Sequence, residues 1–368
     1  MVERGARMVR RRRPREFARI ALVVLCVLML TAGCGPSVRV GSDGTITLRV
    51  AHDMPASYGL VKHGVEVWMD EVRERTGGKV QFDYYPAGQL IGAGELLSAV
   101  KSGVVHVSAF VPATSAGADL PLTDVLSVPG FAASSTNVRY RAYWDVLKNQ
   151  LYEAEWRQQG IRPVVSLLTG PYQLIMTGPP RRGLDGWRGR TIRTSGGAAD
   201  FLVAGLESAA VTMSGAEQYE ALQRGTIDSG VNSLDALVPF RFYEVVDAAT
   251  TNLPIGGSVA VMAIGEEVYD ALPEAVRKAM DEASAIAMKA SADAVNAQLE
   301  TGREKTADAV EYYAMTDGEL AELDPVFTEA RERWIAQREK NGLPGREIVD
   351  AWARALSNAE REEGVAPS

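Results

Sequence analysis

The sequence predicts an α/β fold of two lobes that are bridged by one long helix. Strand and helix patterns alternate along most of the chain, as in βαβ units that form parallel sheets. The 368 residues, 46% of them apolar, are enough for two domains of ordinary size. A continuous helical pattern at 273–309 covers 37 residues. It would be about 55 Å long, which is longer than one lobe is wide.

The first 33 residues differ from the rest and predict a signal peptide. Residues 1–19 hold eight arginines against two glutamates, and an uninterrupted apolar run follows at 20–30. This order is typical of the n-region and h-region of an export signal. As a helix the apolar run would span about 16 Å, too short for a bilayer core of about 30 Å.

The signal ends in Leu30-Thr31-Ala32-Gly33-Cys34, where small residues precede a cysteine. This segment resembles a bacterial lipobox, so Cys34 is the expected lipidation site and the N-terminus of the mature chain. Thr31 departs from the large aliphatic residue that usually stands three places before the cysteine. Ordinary secretion with cleavage near Ala32 and a retained membrane helix are the alternatives.

Removal of the signal makes the chain more acidic. The net charge of −8 becomes −14, with 31 basic and 45 acidic residues after position 33. No basic stretch is left to neutralise phosphates, so we do not expect a nucleic-acid partner. Cys26 leaves with the signal and Cys34 would carry lipid, so the folded part has no cysteine for a disulfide or a metal site. We expect no metal and no cofactor.

Each predicted element follows from local periodicity. A flexible Gly/Ser/Pro tether is expected before residue 46. Val61, Val65, Trp68 and Val72 fall at helical spacing. The predicted strands are 46–51, 80–85, 104–111, 161–168, 172–176, 191–194 and 209–213, and the predicted helices are 60–72, 95–101, 140–158, 198–207 and 216–224.

The C-terminal third is predicted to be helical. Thr316 and Glu319 have capping-box spacing, and 342–345 breaks the last helical region. An apolar stripe on the last helix, which consists of Ile348, Val349, Trp352 and Leu356, indicates packing within a monomer, with a dimer face as the alternative.

The predicted organisation is a signal peptide at 1–33, a tether at 34–45, lobe I at 46–160 with a return segment near 255–272, lobe II at 161–254, the connecting helix at 273–309 and a C-terminal helical region that packs on both lobes at 310–368.

Catalytic motifs are missing from the sequence. It contains no G-x-S-x-G nucleophile elbow, no G-x-x-x-x-G-K-[ST] phosphate loop and no H-E-x-x-H zinc motif. The three histidines, His52, His63 and His106, are few for a catalytic triad or a zinc site. We therefore predict no catalytic residue, and an exported enzyme is the weaker hypothesis.

Four ordered motifs carry a resemblance to a known family. They are LRVAH at 48–52, PAGQL at 86–90, LDGWRGRTIRT at 184–194 and EQYEALQRGTID at 217–228. Their order and spacing over about 48–299 resemble the solute-binding proteins of TRAP transporters, the DctP-like family. The resemblance implies a type II periplasmic-binding-protein-like fold, located in the periplasm or on the outer face of the cytoplasmic membrane. It also implies an exported receptor that closes on a small organic acid and delivers it to TRAP permease subunits in the membrane.

The resemblance also implies ligand-binding residues in the second lobe. Arg193 stands where the family has an arginine that forms a two-pronged salt bridge with the ligand carboxylate, a role that suits a planar guanidinium. Asn232 matches a cleft asparagine. Tyr172 replaces an arginine of the sugar-acid binders, so sialic acid and a second bound carboxylate are not expected. Tyr172 is either an amphipathic wall or a packing residue.

Three candidates come from strand ends in the first lobe. His52 and Asp53 end the first strand, where open α/β sheets place ligands. Asp53 would repel an anion unless the ligand also carries hydroxyl or amino groups. Phe110 ends another strand and is either cleft wall or core. A sensor that feeds a signalling receptor and an ABC-type cluster binding protein remain as alternative functions.

Overall fold

The structure is a computed structural model that describes residues 38–131, 133 and 135–364. The predicted signal peptide and Cys34 lie outside these residues. In chain order the strands are β1 Arg39–Val40, β2 Ile46–His52, β3 Val80–Tyr85, β4 Val107–Phe110, β5 Ile161–Leu168, β6 Tyr172–Met176, β7 Thr191–Thr194, β8 Ala209–Thr212, β9 Ser229–Ser233, β10 Ala248–Thr250, β11 Val259–Gly265 and β12 Glu311–Tyr313.

Helices alternate with these strands, as the sequence predicted. They are α1 Glu66–Arg75, α2 Leu96–Lys101, α3 Pro112–Ser115, α4 Thr136–Val146, α5 Ala198–Gly205, α6 Gly215–Gln223, α7 Glu266–Ala271, α8 Glu274–Thr306, α9 Asp317–Lys340 and α10 Gly345–Glu362. Helix α4 continues as a π-helical stretch over Leu147–Trp156. No helix in the described part of the chain has both the length and the apolar composition that a membrane crossing needs.

The strands form two six-stranded sheets, one in each lobe. The first sheet has the order β1-β2-β4-β11-β5, with β3 also paired to β2, and the second has the order β12-β10-β6-β9-β7-β8. Both sheets are mixed rather than parallel. Strand β11 runs antiparallel to β4 and β5, and β6 runs antiparallel to β9. The prediction of parallel sheets therefore holds only for part of each sheet.

Strand β5 belongs to the first sheet, although the sequence analysis placed 161–168 in lobe II. It pairs along its whole length with β11. Its side chains are buried on both faces, with Ile161 in one core cluster and Val165 in another. A strand that is buried on both faces needs packed elements on each face, and helices α4 and α8 both pack on β5, although it is the edge strand of its sheet. The chain crosses to the second sheet after β5, at 169–171.

Five of the described strands were not predicted: β9 and β10 in the predicted lobe II, β11 in the return segment, and β1 and β12 in segments predicted as tether and as helical. The tether at 34–45 includes β1, which pairs antiparallel with the start of β2 through a turn at 41–44. The alternating Val38, Arg39 and Val40 before a Gly-Ser-Asp-Gly turn explain this hairpin. The C-terminal region at 310–368 likewise includes β12, which extends the second sheet parallel to β10.

The helices of the C-terminal half connect the lobes. Helix α8 has 33 residues rather than the predicted 37 and packs on α1 and β5 of the first lobe and on the turn Leu234–Ala236 of the second. Thr316 and Glu319 form the predicted capping box of α9. Helix α9 packs on α5, and α10 packs on α4. The apolar stripe of α10 is buried in the same core cluster as Ile161 of β5, so it packs within the chain.

Candidate functional site

A cavity lies between the two lobes, at the carboxyl ends of strands from both sheets. It has about 710 Å³ of space free of protein atoms, including the part that is open to solvent. Asp53 follows β2, whereas Arg193 is on β7 and Asn232 is on β9. Edges of this kind are where open α/β sheets bind ligands. Four of the six predicted ligand-binding residues line this cavity: Asp53, Tyr172, Arg193 and Asn232.

Arg193 is held in place by backbone carbonyl groups. Its Nε and Nη2 donate to the carbonyl oxygen of Met213 at 3.0 and 2.7 Å, and its Nη1 donates to that of Val231 at 3.3 Å. The side chain is 95% buried, since only 5% of its surface is exposed. Burial lowers the pKa of Arg193, while Tyr172 and Glu217 act in the opposite direction. Arginine nevertheless stays charged at neutral pH.

This arrangement leaves two N–H groups of Arg193 for a ligand. A guanidinium has five N–H donors, two of them on each terminal nitrogen. The three carbonyl bonds use one N–H each on Nε, Nη1 and Nη2. One N–H therefore remains on each terminal nitrogen. A carboxylate with two oxygens can accept such a pair of donors in a bidentate salt bridge.

Asn232 is committed to a partner on helix α6. Its Oδ1 accepts from Gln218 Nε2 at 2.8 Å, and its Nδ2 donates to Gln218 Oε1 at 2.9 Å. An amide has two N–H donors, so one N–H of Asn232 is left over. Gln218 is fully buried and fixes the orientation of the asparagine. The sequence places Gln218 one helical turn after Ser214, but it does not indicate that Gln218 pairs with Asn232.

Tyr172 lines the cavity through its ring and is anchored through its hydroxyl group. The hydroxyl hydrogen-bonds Ser195 Oγ at 2.9 Å. The backbone carbonyl of Ser195 accepts from Thr114 Oγ1 of the first lobe at 3.1 Å. Tyr172 and Ser195 also line a smaller cavity behind the first one. Tyr172 thus lies in the cavity wall and is also packed in the core of the second lobe.

Asp53 is the acidic residue of the cavity. Its side chain is half-buried, and burial raises the pKa of its carboxyl group, with a further contribution from the negative charge of Glu217. Glu217 itself caps helix α6 through the backbone N–H and the hydroxyl group of Ser214, which hold the pKa of Glu217 below its ordinary value. In the described residues, no ion pair joins Asp53 to Arg193.

Two predicted site residues do not line the cavity. The ring of His52 is fully buried and bonds the hydroxyl group of Tyr84 at 2.7 Å through Nε2. Its burial lowers its pKa to about 4, so His52 is neutral at pH 7. Phe110 lies in the core, stacked on Trp156 with 6.1 Å between ring centroids. Of the two alternatives for Phe110, cleft wall and core, the structure shows the core position.

Sequence reasoning missed an aromatic wall of the cavity. Tyr58 from the first lobe meets Phe240 edge-on at 5.2 Å, and Phe240 stacks on Phe242 at 5.4 Å. All three residues line the cavity. The hydroxyl group of Tyr58 donates to Asp235 of the second lobe at 3.1 Å, a buried hydrogen bond between the lobes. Phe242 follows the recognised motif at 217–228 in the chain, but the sequence does not indicate that it lies near Tyr58 in space.

A second arginine lies behind the cavity wall and was also missed. Arg139 of α4 is buried and donates through Nη1 to the carbonyl oxygen of Thr169 at 3.2 Å. Burial lowers its pKa to about 10, while Tyr172 and Asp235 oppose this effect. Thr169 lines the cavity but Arg139 does not. Among the residues that line the cavity, Arg193 is thus the only basic one and Asp53 the only acidic one.

The chain is similar to known proteins over most of its length. The profile of bacterial extracellular solute-binding protein family 7, DctP, matches residues 51–337. A solute-binding protein of Albidiferax ferrireducens is 24% identical over 280 residues, which are 68% of this chain and 81% of that protein. The outer membrane transporter protein TsaT of Comamonas testosteroni is 24% identical over 312 residues, 81% of this chain and 88% of that protein.

Solved structures share the fold. A TRAP solute-binding protein from Rhodoferax ferrireducens with benzoate has a TM-score of 0.79 at 21% identity, covering 87% of this chain and 100% of that one. A marine metagenome TRAP protein with 3-hydroxybenzoate also has a TM-score of 0.79, at 19% identity, covering 86% and 99%. A Bordetella bronchiseptica protein with mandelate has 0.76 at 19% identity, covering 85% and 99%. With its two lobes, its inter-lobe cavity and the match over 51–337, the chain belongs to bacterial extracellular solute-binding protein family 7, the DctP family.

Proposed function

We propose that this solute-binding protein is the receptor of a TRAP-type transporter and that it captures a monocarboxylate with an aromatic or apolar body. One observation carries the proposal: Arg193 lines a largely apolar cavity between the lobes, and its bonds to Met213 and Val231 leave one N–H group unused on each terminal nitrogen. A buried guanidinium of this kind selects for a carboxylate by charge and by geometry.

The charge of the cavity supports a single carboxylate. Arg193 is the one basic residue that lines it, and Asp53 would repel a second negative group. A dicarboxylate would therefore leave one carboxylate without a cation in a partly desolvated site, which is costly. Tyr172 stands where the sugar-acid binders have a further arginine, which agrees with this conclusion.

The apolar lining supports an aromatic body. Tyr58, Phe240 and Phe242 form one wall, and Met54, Leu60 and Val111 add aliphatic surface. Aromatic rings favour edge-on and offset stacking with other rings, in addition to the burial of apolar area. Benzoate, 3-hydroxybenzoate and mandelate are bound by the structurally similar proteins, so these compounds are suitable first probes.

Binding is coupled to closure of the lobes. The ligand enters an open cleft, its carboxylate pairs with Arg193 of the second lobe, and its body contacts Tyr58 of the first lobe. A ligand that contacts both lobes binds the closed state more tightly than the open state. This difference in affinity shifts the equilibrium between the two states toward closure. The Tyr58–Asp235 hydrogen bond joins the lobes beside the cavity and is available only when they are together.

The sequence supports export and attachment to a membrane. The arginine-rich n-region, the apolar run and the small residues before Cys34 support an exported lipoprotein that acts beside membrane permease subunits. The lipid anchor stays a prediction, because Cys34 lies outside the described residues. The mass of the mature N-terminal peptide checks it.

Substitution of Arg193 tests the proposed binding mode. Arg193→Lys keeps a positive charge but loses the paired donors, so we expect about 100-fold weaker binding of benzoate or 3-hydroxybenzoate by calorimetry. The melting temperature should also fall, because the carbonyl groups of Met213 and Val231 lose donors, so binding is measured well below the unfolding transition. Arg188→Lys is the matched control, because Arg188 lies on the surface and pairs with Glu207 and Asp185. Equal affinities of wild type and Arg193→Lys would contradict the assignment.

A further inference from the structure

We propose that Asp53 makes this receptor selective for carboxylates that carry a second hydrogen-bond donor, a hydroxyl or an N–H group, on the part of the ligand that faces the first lobe. This inference rests on the proposed function and adds a requirement to it. Arg193 would bind the carboxylate, and Asp53 would accept a hydrogen bond from the other end of the same molecule.

The two charged residues of the cavity come from opposite lobes. Asp53 follows β2 of the first sheet, and Arg193 is on β7 of the second. Both residues line the same cavity, and no ion pair among the described residues joins them. A ligand that fills the cavity therefore contacts a cation from the second lobe and a carboxylate from the first.

Asp53 differs from Glu217, Asp200 and Asp235 because, among the described residues, no other residue donates a hydrogen bond to its carboxylate. Glu217 accepts from Ser214, and Asp200 accepts from Thr194 and Thr212. Asp235 accepts from Tyr58 and from the backbone of Gly170. Within the described residues, the one hydrogen-bond donor that acts on Asp53 is its own backbone N–H group.

Ligand binding would increase the cost of this unsatisfied group. An ionised carboxylate only accepts hydrogen bonds, and a bound ring without a donor would remove water from Asp53 without replacing its hydrogen bonds. A hydroxyl or N–H group on the ligand supplies the missing donor. The same carboxylate repels a second anionic group, so the ligand is polar but uncharged at this end.

Matched pairs of acids test the proposal directly. Benzoate and 3-hydroxybenzoate differ by one hydroxyl group on the ring, and so do phenylacetate and 3-hydroxyphenylacetate. At pH 8, where the carboxyl groups are ionised, we expect wild type to bind the hydroxylated member of at least one pair about tenfold more tightly by calorimetry. In Asp53→Ala this preference should disappear, and the unsubstituted member should bind at least as tightly as it does to wild type.

Two further variants keep the test decisive. Asp53→Asn retains the size of the side chain and one acceptor, so it replaces Asp53→Ala if that variant has a lowered melting temperature, and it should reduce the preference to less than about threefold. Asp83→Ala removes one negative charge from the exposed face of the adjacent strand β3 and should keep the wild-type preference.

The outcomes separate this proposal from the proposed function. A hydroxyl preference that persists in both Asp53 variants, or that wild type does not show, overturns the role of Asp53. Carboxylate binding that still depends on Arg193 leaves the proposed function intact in that case. If none of the four acids binds to wild type, the proposed receptor function for aromatic carboxylates is contradicted, and the role of Asp53 is overturned with it.

Discussion

Single residues were predictable where a motif and a chemical role agreed. Arg193 is such a case, because a recognised strand motif places a guanidinium where a carboxylate receptor needs one, and the structure puts it in the cavity. His52 shows why strand ends alone are insufficient. Side chains alternate along a strand, so His52 shares the face of Val50 and bonds Tyr84. Asp53, one residue later, reaches the cavity instead.

The residues that were missed depend on contacts between distant segments. Tyr58 and Asp235 are 177 positions apart, and Gln218 orients Asn232 through two amide hydrogen bonds. A single sequence shows neither pairing, because each residue alone fits an ordinary loop or helix position. Burial and long-range pairing are properties of the folded chain, and they decide which polar groups are free to bind a ligand.

One buried acid makes stability depend on pH at the scale of a residue. Glu155 is buried, accepts from the backbone N–H of Leu122 at 2.8 Å and bonds the hydroxyl group of Thr123. Burial raises the pKa of Glu155 from 4.5 to about 7. The folded state thus holds this proton more tightly than the unfolded chain. The resulting stabilisation is complete below about pH 4.5 and is lost as the pH rises to about 7.

A neutral substitute should remove this dependence. Glu155→Gln lacks the ionisation, so its melting temperature should rise relative to wild type between pH 5 and pH 8. Glu153→Gln is the control, since Glu153 is an exposed residue of the same helical stretch and pairs with Arg157. Parallel melting temperatures of wild type and Glu155→Gln over this pH range would refute the role of Glu155.

At the scale of elements, periodicity predicted the type of most segments but not their partners. Strand β5 was found with its bounds, yet it was placed in the wrong lobe, because an apolar run does not say which sheet it joins. Strands β1, β10 and β12 were missed because two or three residues carry too little periodicity. The longer strands β9 and β11 were also missed. The capping box of α9 was confirmed, since its signal is local.

The start of helix α5 offers a test of close packing between lobes. Gly197 has a φ of +70°, and a Cβ there would lie 1.7 Å from Asp124 Oδ2. The carboxylate of Asp124 accepts from Trp334 and Arg338 at 3.2 Å each. Gly197→Ala should therefore displace a buried ion pair and also strain the backbone, and the free energy of unfolding should fall by about 3 kcal/mol.

A second glycine gives the cost of a left-handed backbone without a close contact. Gly160 has a φ of +68° and a ψ of 28°, and a Cβ there would meet nothing within 4 Å, whereas the ψ of −139° at Gly197 is less accessible to alanine. Gly160→Ala should cost only the backbone strain, about 1 kcal/mol. Chemical denaturation measures both variants. Equal losses of stability would show that the contact with Asp124 does not constrain Gly197.

At the scale of the whole molecule, the function depends on what the two lobes place in one cavity. The first lobe contributes Asp53 and Tyr58, and the second contributes Tyr172, Arg193 and Asn232. Alternating strand and helix patterns predicted the two lobes, and a continuous helical pattern predicted the connecting helix. The composition of the cleft was only partly predictable, because it depends on how residues of opposite lobes meet.

A crystal structure of the protein with bound 3-hydroxybenzoate tests the central claim most directly. We predict the two carboxylate oxygens within about 2.7–3.2 Å of Nη1 and Nη2 of Arg193, with the ring against Tyr58 and Phe240 and with contacts from both lobes. A ligand bound outside the cavity, or one inside it whose carboxylate leaves Arg193 bonded only to Met213 and Val231, would contradict the account.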